Sequence, residues 1–258
     1  MGTVLALHAH PDDIEILCSG ALALLAARGH TVKIVTVTAG EGGSASLTAT
    51  QTAAVRKAEA TEAAAVIGAV YRCGDLPDLG VFNDDASRRR VTELIRWAAP
   101  DLVLAPSPDD YHPDHEAVSL LARDGCFAAS VPNYQTGAAP ALRAIPHLYF
   151  MDPIGGKDRD GRRVVGDFGI DVDAWLDTKR AMLAAHRSQV AWAARQHGVG
   201  DPVQDMQAWS RRRGRDFGAP AAEGFRQYGH HPYPQTALLQ DWVGEALRMP
   251  TDNEPGPP

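Results

Sequence analysis

The chain has 258 residues, a mass of 27.6 kDa and a formal charge of −7 at pH 7. That length suits one large α/β domain, and the negative charge argues against nucleic acid or an anionic membrane surface as a partner. The three cysteines are far apart and form no CxxC pair, which predicts neither a disulfide framework nor a cysteine zinc site. No signal-peptide pattern precedes the first apolar run, and no run reaches the ~18 apolar residues of a membrane span. We therefore expect a cytoplasmic protein that acts on a small molecule.

Short apolar runs alternate with helical patterns along the first part of the chain. The runs predict strands at 3–9, 32–38, 69–74, 101–107 and 147–153. The periodic segments between them predict helices at 14–28, 51–67, 86–98 and 114–124. Because helical crossovers join parallel strands, this order predicts an α/β fold with a doubly wound, Rossmann-like, mainly parallel sheet and helices on both faces. The unbroken apolar runs are typical of strands that are covered on both faces.

The remainder of the chain follows a different pattern. A polar hairpin is expected at 155–167, and a mostly helical part follows, in which 173–197 forms one long helix. The sequence thus predicts a single domain over 1–250, with an α/β core at 1–153 and a part at 154–250 that shapes the pocket. The polar tail at 251–258 is predicted to be disordered.

Two clusters of ionisable residues follow predicted strands. HAHPDD (8–13) ends the first strand, and DDYHPDH (109–115) follows the strand at 101–107. Because ligands of an open α/β sheet bind beyond the carboxyl ends of its strands, we expect the clusters to meet at one edge. A His, an Asp and a second His from two loops make a three-ligand set with an open position, as hydrolytic zinc requires.

The spacing within each cluster supports a division of roles. Pro11 fixes its own φ and biases its neighbour away from helix, so the chain should leave the strand in a turn that points Asp12 and Asp13 in different directions. One carboxylate can then bind a metal while the other faces a water. His112 and His115 are three residues apart, which places them on one side of a helical first turn.

Each cluster taken alone has a plainer interpretation. A lone HxxH or DD is more often surface or capping chemistry, and three acidic residues of the second cluster suit a helix N-terminus: Asp109, Asp110 and Asp114. Two such clusters at neighbouring strand ends, each with a proline, are hard to assign to packing. Their joint position favours a metal centre.

Five segments together resemble one known family: AHPDD, TAGEGG, RKAEATEAAAVIG, LPDLGV and HPDH. The chain resembles the LmbE-like, or PIG-L, family of zinc-dependent N-deacetylases over about residues 3–130, with weaker echoes in KRAMLAAHRSQ and AAEGF. Members deacetylate N-acetylglucosaminyl precursors of mycothiol, bacillithiol and glycosylphosphatidylinositol, and sugars on antibiotics. The resemblance implies hydrolysis of the N-acetyl group of an amino sugar, such as N-acetylglucosamine, in a small-molecule glycoside. Because relatives in this family are often homo-oligomeric, the resemblance also implies a homo-oligomer as one possible assembly.

The resemblance implies specific roles at the two clusters. His10, Asp13 and His115 match the ligands of one Zn²⁺ per chain, with Fe²⁺ as another divalent candidate. Asp12 matches the general base, and His112 matches the group that stabilises or protonates the reacting centre.

Substrate contacts are also implied. Arg56 and Asp78 match positions that contact the sugar in this family, and Glu41 at the end of another strand is a comparable candidate. The plainer interpretation of Arg56 is a solvated helix residue, and that of Asp78 is a turn-forming residue. His8 has two interpretations: it supports the metal site, or it is a hydrogen-bonded histidine of the core. Some residues of the C-terminal part are more often surface or packing residues than pocket residues: His186, His230, His231, Trp209, Tyr228 and Tyr233.

Three other functions are compatible with parts of this pattern. A related zinc amidase would release a longer acyl group or cleave a thiol conjugate. A non-haem iron oxygenase also uses two His and one carboxylate, although the α/β alternation argues against it. A sugar- or nucleotide-binding protein without catalysis would need the sheet but neither metal-type cluster.

Overall fold

The computed structural model describes residues 1–196 and 200–251. Its strands form one sheet in the order β3-β2-β1-β4-β5-β7-β6-β8. The strands are β1 Thr3–His8, β2 Thr31–Thr38, β3 Val70–Leu76, β4 Leu102–Ala105, β5 His147–Met151, β6 Phe168–Asp171, β7 Ala222–Gln227 and β8 Leu247–Arg248. The first five pair in parallel and the last three pair antiparallel, which confirms the predicted mainly parallel α/β fold.

Helices cover both faces of this sheet. They are α1 Asp13–Leu17, α2 Ser19–Ala27, α3 Ala49–Ala65, α4 Asp85–Ala98, α5 Pro113–Ala129, α6 Leu176–Ala184, α7 Arg187–Gln196, α8 Pro202–Asp216 and α9 Leu238–Val243. Successive residues of β1 point to opposite faces. Val4 packs with the core that holds α2, α3 and α6, whereas Leu5 packs with the core that holds α4 and α5. Both cores are apolar, which explains the unbroken apolar strands.

Two predicted helices are interrupted. The helix predicted at 14–28 breaks at Cys18, where φ is −143° and ψ is 8°. The glutamate Glu223 of β7 accepts hydrogen bonds from the amides of Gly20 and Ala21, so a distant residue stabilises the new helix start. The helix predicted at 173–197 begins at Leu176 and divides between α6 and α7, and its predicted end lies outside the described residues.

The C-terminal part holds more strand than its sequence indicates. β6, β7 and β8 extend the sheet, and the segment 155–167 turns back on itself through a bridge between Lys157 and Arg163. The sheet therefore takes strands from both 1–153 and 154–250, and the predicted division at 153/154 stays a prediction. The predicted disordered tail lies outside the described residues after Thr251. Within the described part of the chain, no helix is both long and apolar enough to cross a bilayer.

The strand order positions the site. β1 lies at the centre between β2 and β4, so the chain runs outward from β1 in one direction to β3 and in the other to β5. The order reverses between β1 and β4, and a crevice opens there beyond the carboxyl ends of the strands. Both ionisable clusters follow these two strands.

Candidate metal centre

The turn after β1 separates two adjacent carboxylates. Asp12 has a φ of 102°, a left-handed conformation that is strained for a residue other than glycine. Asp13 begins α1 and accepts a hydrogen bond from the amide of His10 at 2.8 Å. The Asp13 side chain approaches the histidines, while that of Asp12 approaches Arg56. The two carboxylates therefore point apart, as the proline turn predicts.

The second cluster forms the first turn of α5. His112 is the N-cap residue, and its Nδ1 accepts a hydrogen bond from the amide of Asp114 at 3.2 Å. Pro113 follows at the first helical position, where a missing N–H costs nothing. His115 lies one turn further and is buried. This cap leaves Nε2 of His112 as the nitrogen available to the crevice.

Three donor atoms from the two clusters form a small triangle. His10 Nδ1 lies 3.3 Å from Asp13 Oδ2, His115 Nε2 lies 3.4 Å from the same oxygen, and the two nitrogens are 3.3 Å apart. Two ligand atoms of a tetrahedral zinc ion with bonds of roughly 2.0–2.1 Å lie about 3.3–3.4 Å apart. The size of the triangle therefore suits one zinc ion.

The outer nitrogens of both imidazoles are bonded to carboxylates. His10 Nε2 lies 3.1 Å from Asp78 Oδ1 and 3.4 Å from Asp114 Oδ2, and His115 Nδ1 lies 3.1 Å from Asp110 Oδ1. If these outer nitrogens carry the protons, the inner nitrogens present lone pairs to each other across 3.3 Å. A metal ion between them would accept both lone pairs.

The charge of the site also favours a cation. Burial alone lowers the pKa of His115, but the Asp13 and Asp110 carboxylates raise it to about 9. His8 is buried with its Nδ1 2.6 Å from Asp13 Oδ2, so it supports this carboxylate from behind. His8 is therefore both a core residue and a partner of Asp13.

Overlapping groups of donors also lie close together within the described residues. His10, His112 and His115 form one, His8, Asp13 and His115 a second, and His10, Asp78 and Asp114 a third. In the second, the 2.6 Å from His8 to Asp13 is a hydrogen-bond distance, shorter than the ~3.3 Å between two ligands of one zinc ion. In the third, the carboxylates are also bonded to the amides of Gly42 and Leu79. The first group shares His10 and His115 with the triangle, so these two histidines belong to both candidate donor sets.

Arg56 fixes the turn that carries Asp12. Its Nη1 donates to the carbonyl of Gly40 and its Nη2 to the carbonyl of Pro11, both at 2.6 Å, and Nη2 lies 3.5 Å from Asp12 Oδ2. Burial raises the pKa of Asp12 to about 6, and the Arg56 guanidinium opposes that rise. Arg56 is thus a buried support of the site rather than a solvated helix residue.

Glu41 and Asp78 belong to one set of hydrogen bonds beside the site. Glu41 Oε1 accepts from the amide of Asp78, and Asp78 Oδ2 accepts from the amide of Gly42, both at 2.9 Å. Asp78 lines the crevice, whereas Glu41 is absent from its described lining. Sequence reasoning treated Asp110 and Asp114 as capping acids and missed their contacts with the imidazoles. The signal was present, because metal-bound histidines are usually held by carboxylates.

Comparison with known proteins identifies the family. A family model described as GlcNAc-PI de-N-acetylase (PIG-L) matches residues 5–126. A Corynebacterium diphtheriae protein named 1D-myo-inositol 2-acetamido-2-deoxy-alpha-D-glucopyranoside deacetylase is 33% identical over 228 residues, which cover 73% of this chain and 76% of that protein. The chain belongs to the PIG-L family. This confirms the resemblance found in the sequence.

One further relative has a different named activity, and one solved structure extends the comparison to the fold. A Pseudomonas putida protein named 4-oxalmesaconate hydratase is 26% identical over 195 residues, covering 72% of this chain and 74% of that protein. The crystal structure of a conserved protein from Thermus thermophilus superposes with a TM-score of 0.72 at 28% identity, covering 92% of this chain and all of that one. The PIG-L fold is thus shared across nearly the whole described chain.

The PIG-L crevice opens into a cavity of about 720 Å³. Its ionisable lining residues include the donor triangle together with Asp12, Arg56, Asp78 and His112. The apolar side chains that the C-terminal part contributes to this lining, which we call the apolar wall, are Ile154, Trp192, Pro202, Met206 and Trp209; the same part also contributes Gln189, Asp205 and Arg212. Tyr228, Tyr233 and His231 line a different cavity, and His186 is buried with its Nε2 3.4 Å from Glu15.

Proposed function

We propose that the chain is a zinc-dependent N-deacetylase that removes the acetyl group from an amino sugar such as N-acetylglucosamine in a small-molecule glycoside. The observation that carries the proposal is the donor triangle, with Asp12 beside it and a cavity large enough for a glycoside. The family match and the name of the Corynebacterium diphtheriae relative support the same reaction class.

His10, Asp13 and His115 would hold the metal, because their donor atoms have the spacing and chemistry that zinc prefers. Bound zinc supplies a Lewis acid that polarises the amide carbonyl and lowers the pKa of water from 15.7 to about 7. The contacts of Asp78 and Asp110 with the outer nitrogens would fix the orientation of both imidazoles when the metal is bound.

Asp12 takes the proton of the attacking water. Its carboxylate lines the same cavity as the triangle, and Arg56 holds the turn in place through two backbone carbonyls. The water oxygen bonds to the acetyl carbon, the C–N bond breaks, and acetate and a free amine are produced. A positioned base of this kind is typically worth ~10²–10⁴ in rate.

His112 acts on the other side of the reacting carbonyl. Because its Nδ1 accepts from the amide of Asp114, the neutral ring carries its proton on Nε2, and that N–H can donate to the developing oxyanion. The proton that Asp12 has taken from the water then passes to the departing amine. We further propose that Asp78 and Arg56 contact the sugar, and that Glu41 acts through the Asp78 turn.

The deciding experiment measures amine release and metal content together. Asp12→Asn should keep its zinc and lose about 10²–10⁴ in kcat on an N-acetylglucosamine glycoside, because only the base is removed. Asp177→Asn is the matched control, since that side chain is 92% exposed on α6. Full turnover by Asp12→Asn would refute the assigned base, and the absence of amine release from acetylated sugars by the wild type would refute the function.

A hydratase is the second candidate, because one curated relative carries that name. A carboxylate-rich substrate needs free cations in the cavity. Among the described lining residues the arginines are Arg56, whose Nη1 and Nη2 donate to the carbonyls of Gly40 and Pro11, and Arg212, which is exposed. Incubation with 4-oxalmesaconate, followed by loss of its conjugated absorbance, tests this candidate. Hydration without deacetylation would replace our proposal.

A further inference from the structure

We propose that His186 is a positioning residue for the base Asp12: through Glu15 it holds the first turn of α1, and with it the turn that carries Asp12. The proposal rests on the N-deacetylase function, because only that function makes Asp12 a base. His186 lies between α6 and α7, so a segment far along the chain would keep the base in place.

The turn that carries Asp12 needs support from its surroundings. Asp12 has a φ of 102°, and a strained residue of this kind persists only where neighbouring structure holds it. Arg56 supplies one support through the carbonyl of Pro11. Among the described residues no side chain caps α1 at Asp12, whose carbonyl accepts the amide of Ile16 at 3.1 Å. The position of the turn therefore also depends on how α1 itself is held.

Two contacts join α1 to the α6 segment. Lys179 donates to the carbonyl of Ile16 at 3.0 Å, and His186 Nε2 lies 3.4 Å from Glu15 Oε1. Glu15 and His186 are both buried, where a carboxylate is costly without a partner. Glu15 belongs to the first turn of α1, three residues after Asp12. The second contact therefore holds the end of the helix that is nearest the base.

The main chain fixes His186 between two helices. Its amide donates to the carbonyl of Leu183 at 3.0 Å. Its own carbonyl accepts hydrogen bonds from the amides of Gln189 and Val190, both at 3.0 Å. The imidazole therefore projects from a backbone that is bonded on both sides, as a support for another element requires.

The ring of His186 interacts with both carboxylates at the start of α1. Burial lowers the pKa of His186, but the Glu15 and Asp12 carboxylates raise it overall, against the opposing Arg56 guanidinium. Within the described part of the chain neither ring nitrogen has an aligned hydrogen bond, so the contact with Glu15 is an ion pair. Buried polar atoms of residues that only fill the core are normally hydrogen-bonded. The charges beside the ring thus point to a role at the Asp12 turn.

A pair of amide variants tests the contact with Glu15. In His186→Gln the amide nitrogen lies about as far from Cβ as histidine Nε2 does, whereas in His186→Asn it falls short of Glu15. We expect His186→Asn to lower kcat at least about tenfold with KM unchanged, because displacing a catalytic group costs rate rather than binding. His186→Gln should restore most of that loss. Arg187→Gln is the matched control, since this neighbouring side chain is 63% exposed and pairs with Glu62.

A double variant shows whether His186 acts through Asp12. His186→Asn should lower the residual rate of Asp12→Asn less than about twofold, because the group that it positions is already lost. A residue that only stabilises the fold would lower both rates alike. Zinc content and circular dichroism check that each variant is loaded and folded. Glu15→Ala removes the same contact from the other side and carries the test if His186→Asn does not fold.

Hydrogen exchange tests the support of the turn without catalysis. The amide of Ile16 reports on this turn directly, because it donates to the carbonyl of Asp12. We expect this amide to exchange at least about tenfold faster in His186→Asn than in the wild type, and at the wild-type rate in Arg187→Gln. Unchanged exchange at Ile16, or an equal fractional loss of kcat with and without Asp12, would overturn the positioning role while deacetylation stands. Faster exchange in His186→Asn, with no amine release by the wild type, would instead overturn the deacetylase proposal alone.

Discussion

At the scale of single residues, Asp110 shows how a carboxylate outside the donor triangle controls it. Its Oδ1 lies 3.1 Å from His115 Nδ1 and accepts the amide of His112 at 3.2 Å. Asp110→Asn should weaken zinc binding about 10–100-fold, because the imidazole loses its charged partner. Competition with a chromophoric chelator measures this. Asp109→Asn is the matched control from the same loop, and equal zinc affinity in both variants would contradict the prediction.

Gly40 tests the support of Asp12. A Cβ at Gly40 would lie 1.8 Å from Arg56 Nη1, so Gly40→Ala must displace the guanidinium. We expect kcat to fall about 10²-fold, because small misplacements of catalytic groups cost that much, while zinc content stays unchanged.

Gly68→Ala separates this effect from backbone strain. Gly68 has a φ of 69°, close to the 61° of Gly40, and a Cβ there meets nothing within 4 Å. Both variants therefore place alanine in a left-handed conformation, but only Gly40→Ala also collides with Arg56. An equal loss of activity in both would show that Arg56 plays no part in holding the base.

At the scale of elements, the break between α1 and α2 depends on a buried ion pair. Glu223 accepts from two amides in the first turn of α2, and it pairs with Lys179, which also donates to the carbonyl of Ile16. Glu223→Ala leaves the ammonium buried and unpaired, so we expect a loss of about 3–5 kcal/mol in the free energy of unfolding. Urea denaturation measures it, and Glu62→Ala on the exposed face of α3 is the control. A change no larger than the control's would contradict the prediction.

The elements that the sequence could predict are those whose signal lies within their own residues. Sequence pattern predicted α3, α4 and α5 and all five parallel strands, because most of these segments bury one continuous face or run, whereas the edge strand β3 is largely exposed. Periodicity could not predict the break at Cys18, since its stabilising partner is more than 200 residues away. It also missed β7, in which the strand contains a buried glutamate and a glycine that are typical of other structures.

At the scale of the whole molecule, the proposed metal would join loops that follow two neighbouring strands. Zinc at 1,000 times its dissociation constant should stabilise the fold by about 4 kcal/mol, which corresponds to roughly 10 °C in Tm for a chain of this size. Differential scanning calorimetry with and without a chelator measures the shift. His115→Ala should show no zinc-dependent shift, and His230→Ala, an exposed histidine, should show all of it. An unchanged Tm on chelation in the wild type would contradict the metal assignment.

The assembled site was predictable only in part for a related reason. Strand order places the turns after β1 and β4 side by side, so the sequence predicted that the two ionisable clusters would meet, and the family resemblance implied the set His10, Asp13 and His115. No comparable rule predicts the apolar wall, because the positions of α7 and α8 depend on tertiary contacts. Trp209 was therefore a scattered aromatic in the sequence and is a lining residue in the fold.

The cavity is encoded in two separate stretches of the gene. Every donor of the triangle precedes codon 116, whereas the apolar wall begins at Ile154. Mutations in the later stretch can remodel which molecules fit without altering a metal-binding atom. A lineage built on this plan can exchange one substrate for another while its chemistry stays constant, and directed evolution confined to codons 187–216 should do the same in the laboratory.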